Sequence, residues 1–152
     1  LNLIRSEGNI NYIKINNSVS DALDSDFSKL DIDNIFIDGA GNDCSDFSFG
    51  KYKINKAEFK NCNDKAISVG EKSEMNIENL IVLNSNIALA SKDSSETKIL
   101  NSKINGVKEC YAAYKKKQEF RGGSIIVNNS TCSNFINNDV VDKYSLIKII
   151  NK

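Results

Sequence analysis

Two aspartates, Asp24 and Asp46, stand 22 residues apart, the interval at which an aliphatic pattern recurs along the chain. If that interval is one turn of a stacked repeat, their carboxylates are neighbours about 5 Å apart. Carboxylates that close raise one another's pKa and share a proton, as acid-base pairs do, or hold a calcium ion between them. Lys92, Asp93 and Lys116 complete the groups able to move a proton in the same region. These five are the candidate catalytic residues. The sequence has no His, which removes imidazole as general base and as zinc ligand, and its four scattered Cys draw no tetrahedral zinc site. No metal site and no cofactor motif is expected, calcium on the paired aspartates aside.

A second set of residues suits binding better than catalysis. Val69-Gly70-Glu71-Lys72-Ser73-Glu74 aligns with Ser91-Lys92-Asp93-Ser94-Ser95-Glu96 and then with Tyr114-Lys115-Lys116-Lys117-Gln118-Glu119-Phe120. A shallow groove floored by Ala88, Ala90 and Ala112, and rimmed by Tyr111 or Tyr114 with Lys92, Lys116 and Glu119, would offer an aromatic beside hydroxyl and amine donors. That combination suits a sugar ring, with its apolar face and polar edge. Ser68, Glu71 and Asp93 fall in the same strip, so the candidate ligand residues are Ser68, Glu71, Lys92, Asp93, Tyr111, Tyr114, Lys116 and Glu119. The plainer reading is a ladder of solvated charges, each pair contributing well under about 1 kcal/mol.

The elements that must position these groups follow from the repeat. Aliphatic triplets at Ile10/Ile13/Ile15, Ile32/Ile35/Ile37, Ile54/Ala57/Phe59, Ile77/Leu80/Val82 and Ile99/Ser102/Ile104 step by 22, 22, 23 and 22. Only stacked, near-identical units explain this economically. A sixth copy fits at Val127, Ser130 and Cys132 if about six residues are looped out before it, and Ile147 with Ile149 could open a seventh. Alternating pairs separated by one slipped residue, as in Leu30 to Ile37, describe two short strands meeting at a corner. Asn34, Asn79, Asn101 and Asn129 occupy that corner, where a left-handed conformation and an amide ladder are expected. A second turn is marked by Asn17, Gly39, Asn61, Asn84 and Gly106, and a third strand follows it, carrying Asp24, Asp46, Ser68, Ala90 and Ala112 outward.

With Asn-Leu-Ile-Val-Leu-Asn at 79–84 and Ala-Ile-Ser-Val at 66–69, the chain resembles the right-handed parallel β-helix of the pectin-lyase-like superfold. The fold class expected is all-β, a solenoid of about six coils of roughly 22 residues with three short strands each, forming one domain over 1–152. A leucine-rich repeat shares the period but needs Asn or Cys at the eighth position and an aliphatic at the tenth; here the eighth is Ser18, Ala40, Cys62, Ser85 and Val107, and the tenth is Ser20, Asn42 and Asp64 in the first three copies. The resemblance implies substrates lying along the third strand. It does not imply an activity, because the fold hosts lyases, hydrolases, epimerases, tailspikes and inert adhesins. The lyases of that fold generally pair Arg or Lys as base with calcium-binding carboxylates, whereas Arg5 and Arg121 here lie outside the strand columns.

Equal numbers of basic and acidic side chains, 20 of each, supply no net field for nucleic acid or an anionic membrane, and no run approaches the apolar length of a membrane span. Leu1 in place of Met, and a strand-like pattern up to Lys152, suggest a piece of a longer chain with further domains. Cys44 and Cys110 share a column with Ala22, Ala66 and Ala88, so the cysteines are expected to be small buried hydrophobes, disulfides in an exported protein being the alternative. The function expected is a rigid segment of a bacterial or phage surface protein, extracellular, with a weak polysaccharide-binding strip. The alternative is a carbohydrate-active lyase or hydrolase.

Overall fold

The computed structural model describes residues 1–151, and every one of its regular elements is a β-strand. Twelve strands run in chain order: β1 Asn2–Ile4, β2 Glu7–Ser18, β3 Leu23–Asp26, β4 Lys29–Ala40, β5 Ser45–Ser48, β6 Lys51–Gly70, β7 Glu74–Lys92, β8 Glu96–Tyr114, β9 Ser124–Asn128, β10 Ser130–Ser133, β11 Asn137–Val141 and β12 Leu146–Ile150. All pairings are parallel, each strand lying on the one a coil later. The expected columns are in register: Ile10 on Ile32, Ile32 on Ile54, Ile54 on Ile77, Ile77 on Ile99, Ile99 on Val127 and Val127 on Ile149. The chain is therefore a parallel β-solenoid of about seven turns, one more than the six expected, because β12 carries Ile147 and Ile149 onto Ile125 and Val127.

The alternation of buried and exposed residues explains why these segments are strands. In β4, Leu30, Ile32, Ile35 and Ile37 are buried while Asp31 and Asp33 are exposed, and the phase slips by one at Asn34 where the chain turns a corner. Pairing skips Asp33, just before that corner, and Gly39 at the second turn, so each coil divides into three runs. Columns of Ile, Leu, Val and Phe fill the lumen, each buried aliphatic contributing on the order of 2 kcal/mol. Tyr52 also points inward, and its hydroxyl donates to the Ser25 carbonyl at 2.8 Å.

The single 23-residue step has a local cause. Lys51 pairs with Glu74, 23 residues on, while Asp46 pairs with Ser68, 22 on; the extra residue sits in the turn holding Glu71 and Lys72, both at positive φ. One fewer residue between Ser85 and Ile87 than between Cys62 and Lys65 restores the period.

The corners differ from expectation. Of Asn34, Asn79, Asn101 and Asn129, only Asn129 is left-handed, with φ of 53°. The others stay extended, held by their amides instead: Asn101 donates to Asn79 Oδ1 at 3.2 Å and Asn129 to Asn101 Oδ1 at 3.3 Å. Left-handed residues recur instead at the second turn, at Asn17, Gly39, Asn61, Asn84 and Gly106, and at the third, at Arg5, Phe27, Phe49, Glu71, Lys72, Asp93 and Ser94. At the second turn, a Cβ on Gly39 would meet Asn17 Oδ1 at 3.0 Å and one on Gly106 would meet Asn84 Oδ1 at 2.7 Å, so each glycine makes room for the amide of the coil before it.

All four cysteines are paired, Cys44 with Cys62 and Cys110 with Cys132, which corrects the expectation of free buried thiols. Column spacing hides these pairs because they bridge a corner between coils. Cys62 lies on Ala40, four residues before Cys44, and Cys132 lies on Ile104, six before Cys110.

Candidate functional site on the third run

The third run of each coil places two outward columns side by side. Asp24, Asp46, Ser68, Ala90 and Ala112 stack in one, as expected; Asp26 and Ser48 are in register in the other, which continues through Gly70 to Lys92 on Tyr114. Strand alternation does this positioning, since Ser25, Phe47, Val69, Ser91 and Ala113 between them are buried.

Within this strip, Lys92 is the organising cation. Its side chain is buried and crosses the bare backbone of Gly70, where a Cβ would stand 3.0 Å from Lys92 Cε. Lys92 Nζ donates to Ser68 Oγ at 2.7 Å and lies 3.9 Å from Asp46 Oδ2. Asp46 Oδ1 is sealed from solvent and has no hydrogen-bond partner in the protein. Burial, followed by the charges of Asp26, Asp46 and Asp21, raises the Asp24 carboxyl above its ordinary value. Asp26 is raised too, by burial and then by Asp46 and Glu71.

A second network adjoins the first. Ser48 Oγ donates to Glu71 Oε2 at 2.6 Å, and Lys117 Nζ stands 2.5 Å from Glu71 Oε1. Burial alone would lift the Glu71 carboxyl, but hydrogen bonds from Lys117 and Ser48 and the charges of Lys117 and Lys92 hold it below its usual value. Lys117 reaches that position because the extra residues before β9 fold back. Glu96 pairs with Ser124, a step of 28, which places the six-residue excess where it was expected.

Asp93 explains how that excess is held. It is fully buried, and its Oδ1 accepts from the backbone amides of Lys116 at 2.8 Å and Lys117 at 2.7 Å. Its role is to anchor the segment that delivers Lys117. Lys116 and Glu119 themselves are exposed, with no side-chain hydrogen bond or ion pair among the described residues.

Two expectations fail on burial. Tyr111 is not a rim: its ring lies in the lumen and its hydroxyl pairs with Ser102 at 2.6 Å and Ser130 at 2.8 Å. The alanine floor is not open either, since Ala88 faces inward and Ala90 and Ala112 are fully buried. Tyr114, half-buried beside Lys92, is the aromatic left in the strip. Among the described residues, no group of three or more Cys, Asp or Glu is arranged to hold a metal ion.

Sequence reasoning missed Asp26, Ser48 and Lys117. Asp26 and Ser48 were legible as the outward positions two beyond Asp24 and Asp46; Lys117 was not, because the insertion has no counterpart in other coils.

No protein-family model, no curated protein and no solved structure matches this chain.

Proposed function

We propose that this chain is a rigid β-helical segment of a larger bacterial or phage surface protein that presents a weak carbohydrate-binding strip on its third run. The observation that carries the reading is the pair of abutting networks Asp46–Lys92–Ser68 and Ser48–Glu71–Lys117. They fix donors and acceptors on a surface where a plain solenoid needs only solvated charges. A sugar's hydroxyls are recognised by such preset partners, and the half-buried ring of Tyr114 supplies an apolar contact beside them. Two disulfides favour an oxidising compartment outside the cell. The test is a thermal-shift panel of neutral and acidic polysaccharides with and without calcium. A glycan that raises the melting temperature of the wild type but not of Ser68→Ala/Glu71→Gln supports the reading, and a flat response to every glycan rejects it.

The raised Asp24 carboxyl beside Asp46 favours a second reading, a lyase or hydrolase in which Asp24 gives a proton, Asp46 helps to keep that proton on, Lys92 stands against Asp46, Asp93 positions the insertion and Lys116 meets substrate. New reducing ends or unsaturated products that vanish in Asp24→Asn would establish it.

A further inference from the structure

The other coils pass from the third run into the next first run within four residues, whereas the coil of β8 takes nine, 115–123, the longest stretch outside strands among the described residues. Four of the nine are basic: Lys115, Lys116, Lys117 and Arg121. Among the described residues, every other Lys and Arg lies in a strand or in a turn of two to four residues.

This stretch is fastened at both ends and loose in the middle. Upstream, Lys115 N donates to Asp142 Oδ2 at 2.8 Å, while Lys116 N and Lys117 N donate to Asp93 Oδ1. Downstream, Arg121 N donates to Ser94 Oγ at 2.8 Å, the Arg121 carbonyl accepts from Ser94 N at 2.9 Å, and Gly123 N donates to Ser145 Oγ at 3.1 Å. A Cβ on Gly123 would stand 2.0 Å from the Ser91 carbonyl oxygen, so the chain there lies flush against β7. Between these anchors Gln118 and Glu119 are exposed, and their amides have no hydrogen-bond partner among the described residues. The tip is closed by Phe120 N donating to the Lys117 carbonyl at 3.3 Å. The Lys117 side chain is 45% exposed and ion-paired with Glu71.

A covalent tie spans the same stretch. Cys110 in β8 is bridged to Cys132 in β10, and β8 is also laddered to β9, β10 and β11. A break in the backbone between the two cysteines therefore leaves both parts joined.

We propose that the Lys117–Gln118 peptide bond is a processing site for a lysine-directed serine protease, and that the Cys110–Cys132 bridge keeps the cut chain as one rod. Such a protease takes its substrate extended, with the lysine in an acidic pocket. This tip straightens at the loss of one long hydrogen bond, whereas a lysine within a ladder is presented only after neighbouring strands part. Lys115 and Lys116 add charge that draws the segment toward an acidic cleft. Water adds across the amide: the carbon–nitrogen bond breaks, Lys117 ends in a carboxylate and Gln118 begins with an ammonium. The bonds on either side are poorer choices, because the Lys117 amide is held by Asp93 and Arg121 by Ser94. Cutting makes Lys117 a chain end and so loosens its hold on Glu71.

Brief trypsin treatment of the oxidised, folded protein tests this. The expected first product has gained the mass of one water, runs as one band without reductant, and parts with reductant into residues 1–117 and 118–152. Its far-ultraviolet spectrum stays that of the uncut chain. Glu71→Gln releases the lysine and is expected to be cut about threefold faster, the worth of one partly exposed ion pair. Lys117→Gln is expected to lose this product while keeping its melting temperature. A first cut at any other bond, a chain that resists cutting throughout, or fragments that separate without reductant would each overturn the proposal. So would a Lys117→Gln variant opened within the insertion as fast as the wild type.

Discussion

Lys92 Nζ stands 2.7 Å from Ser68 Oγ, on the preceding coil, having crossed the backbone of Gly70 to reach it. The contact exists because one coil supplies a long cation, the coil before it supplies a hydroxyl, and between them no Cβ intervenes. Gly70→Ala should therefore push the lysine off its path. The expected cost is about 1 kcal/mol in urea denaturation, with loss of any glycan-induced shift. An unchanged midpoint would mean that the lysine re-routes freely.

Removing the cation should cost more than crowding it. Lys92→Ala leaves Asp46 and Ser68 without their buried partner and opens a void, and the expected destabilisation is about 2 kcal/mol. Lys92→Met, which keeps the stem, should recover part of that loss. Equal midpoints for wild type and Lys92→Ala would show that the network holds nothing together.

The carboxylates of the strip should titrate in opposing directions. Glu71 is held low, so its folded form binds a proton less tightly than the unfolded chain; its contribution is present above the unfolded carboxylate range and is lost as pH falls through the folded value. Asp24 and Asp26 are raised, so theirs is present below the unfolded value and is lost as pH rises through the folded one. Asp46→Asn removes a repelling neighbour from both. Carboxyl-carbon NMR titration should show Asp24 and Asp26 moving down toward ordinary values, and static titrations would contradict the stacked geometry.

The disulfides predict an absence of reactive thiol. Denatured, unreduced protein should give no colour with Ellman's reagent, and reduction of the Cys44–Cys62 bridge should cost about 3 kcal/mol, the expectation for a closed loop of this size. Free thiols would contradict both bridges.

Ile77 lies in the centre of a lumen column between Ile54 and Ile99. Ile77→Asp buries a carboxylate with no partner and should unfold the rod, a loss of at least about 4 kcal/mol. A retained far-ultraviolet spectrum and melting temperature would refute the register.

Columns were the part of this molecule that the sequence made readable. Side chains separated by one period touch, so identical residue types at that spacing announced the lumen, the paired aspartates and the Asn79–Asn101–Asn129 ladder. What escaped lies off the columns. The cysteine pairs join positions on two sides of a corner: 18 residues separate Cys44 from Cys62, and the 22 between Cys110 and Cys132 does not make a column, because the insertion sets Cys132 on Ile104 instead. Lys117 and Phe120 come from an insertion that has no counterpart to compare. Tyr111 is different: its column neighbours Leu23, Ile67 and Leu89 are apolar and inward, so the signal for burial was present, and its hydroxyl drew attention away from it. The left-handed corner was assigned to the wrong asparagines because an extended Asn bonded to the next coil leaves the same trace in sequence as a strained one.

At the second turn, Gly39 and Gly106 each receive the amide of an asparagine from the preceding coil. A glycine there is useful only when an Asn stands directly before it. Copying the Gly39 coil alone would set glycine upon glycine and leave a hollow at that bend, whereas copying it together with its Asn17 predecessor would not. At this bend the coils are therefore not interchangeable bricks.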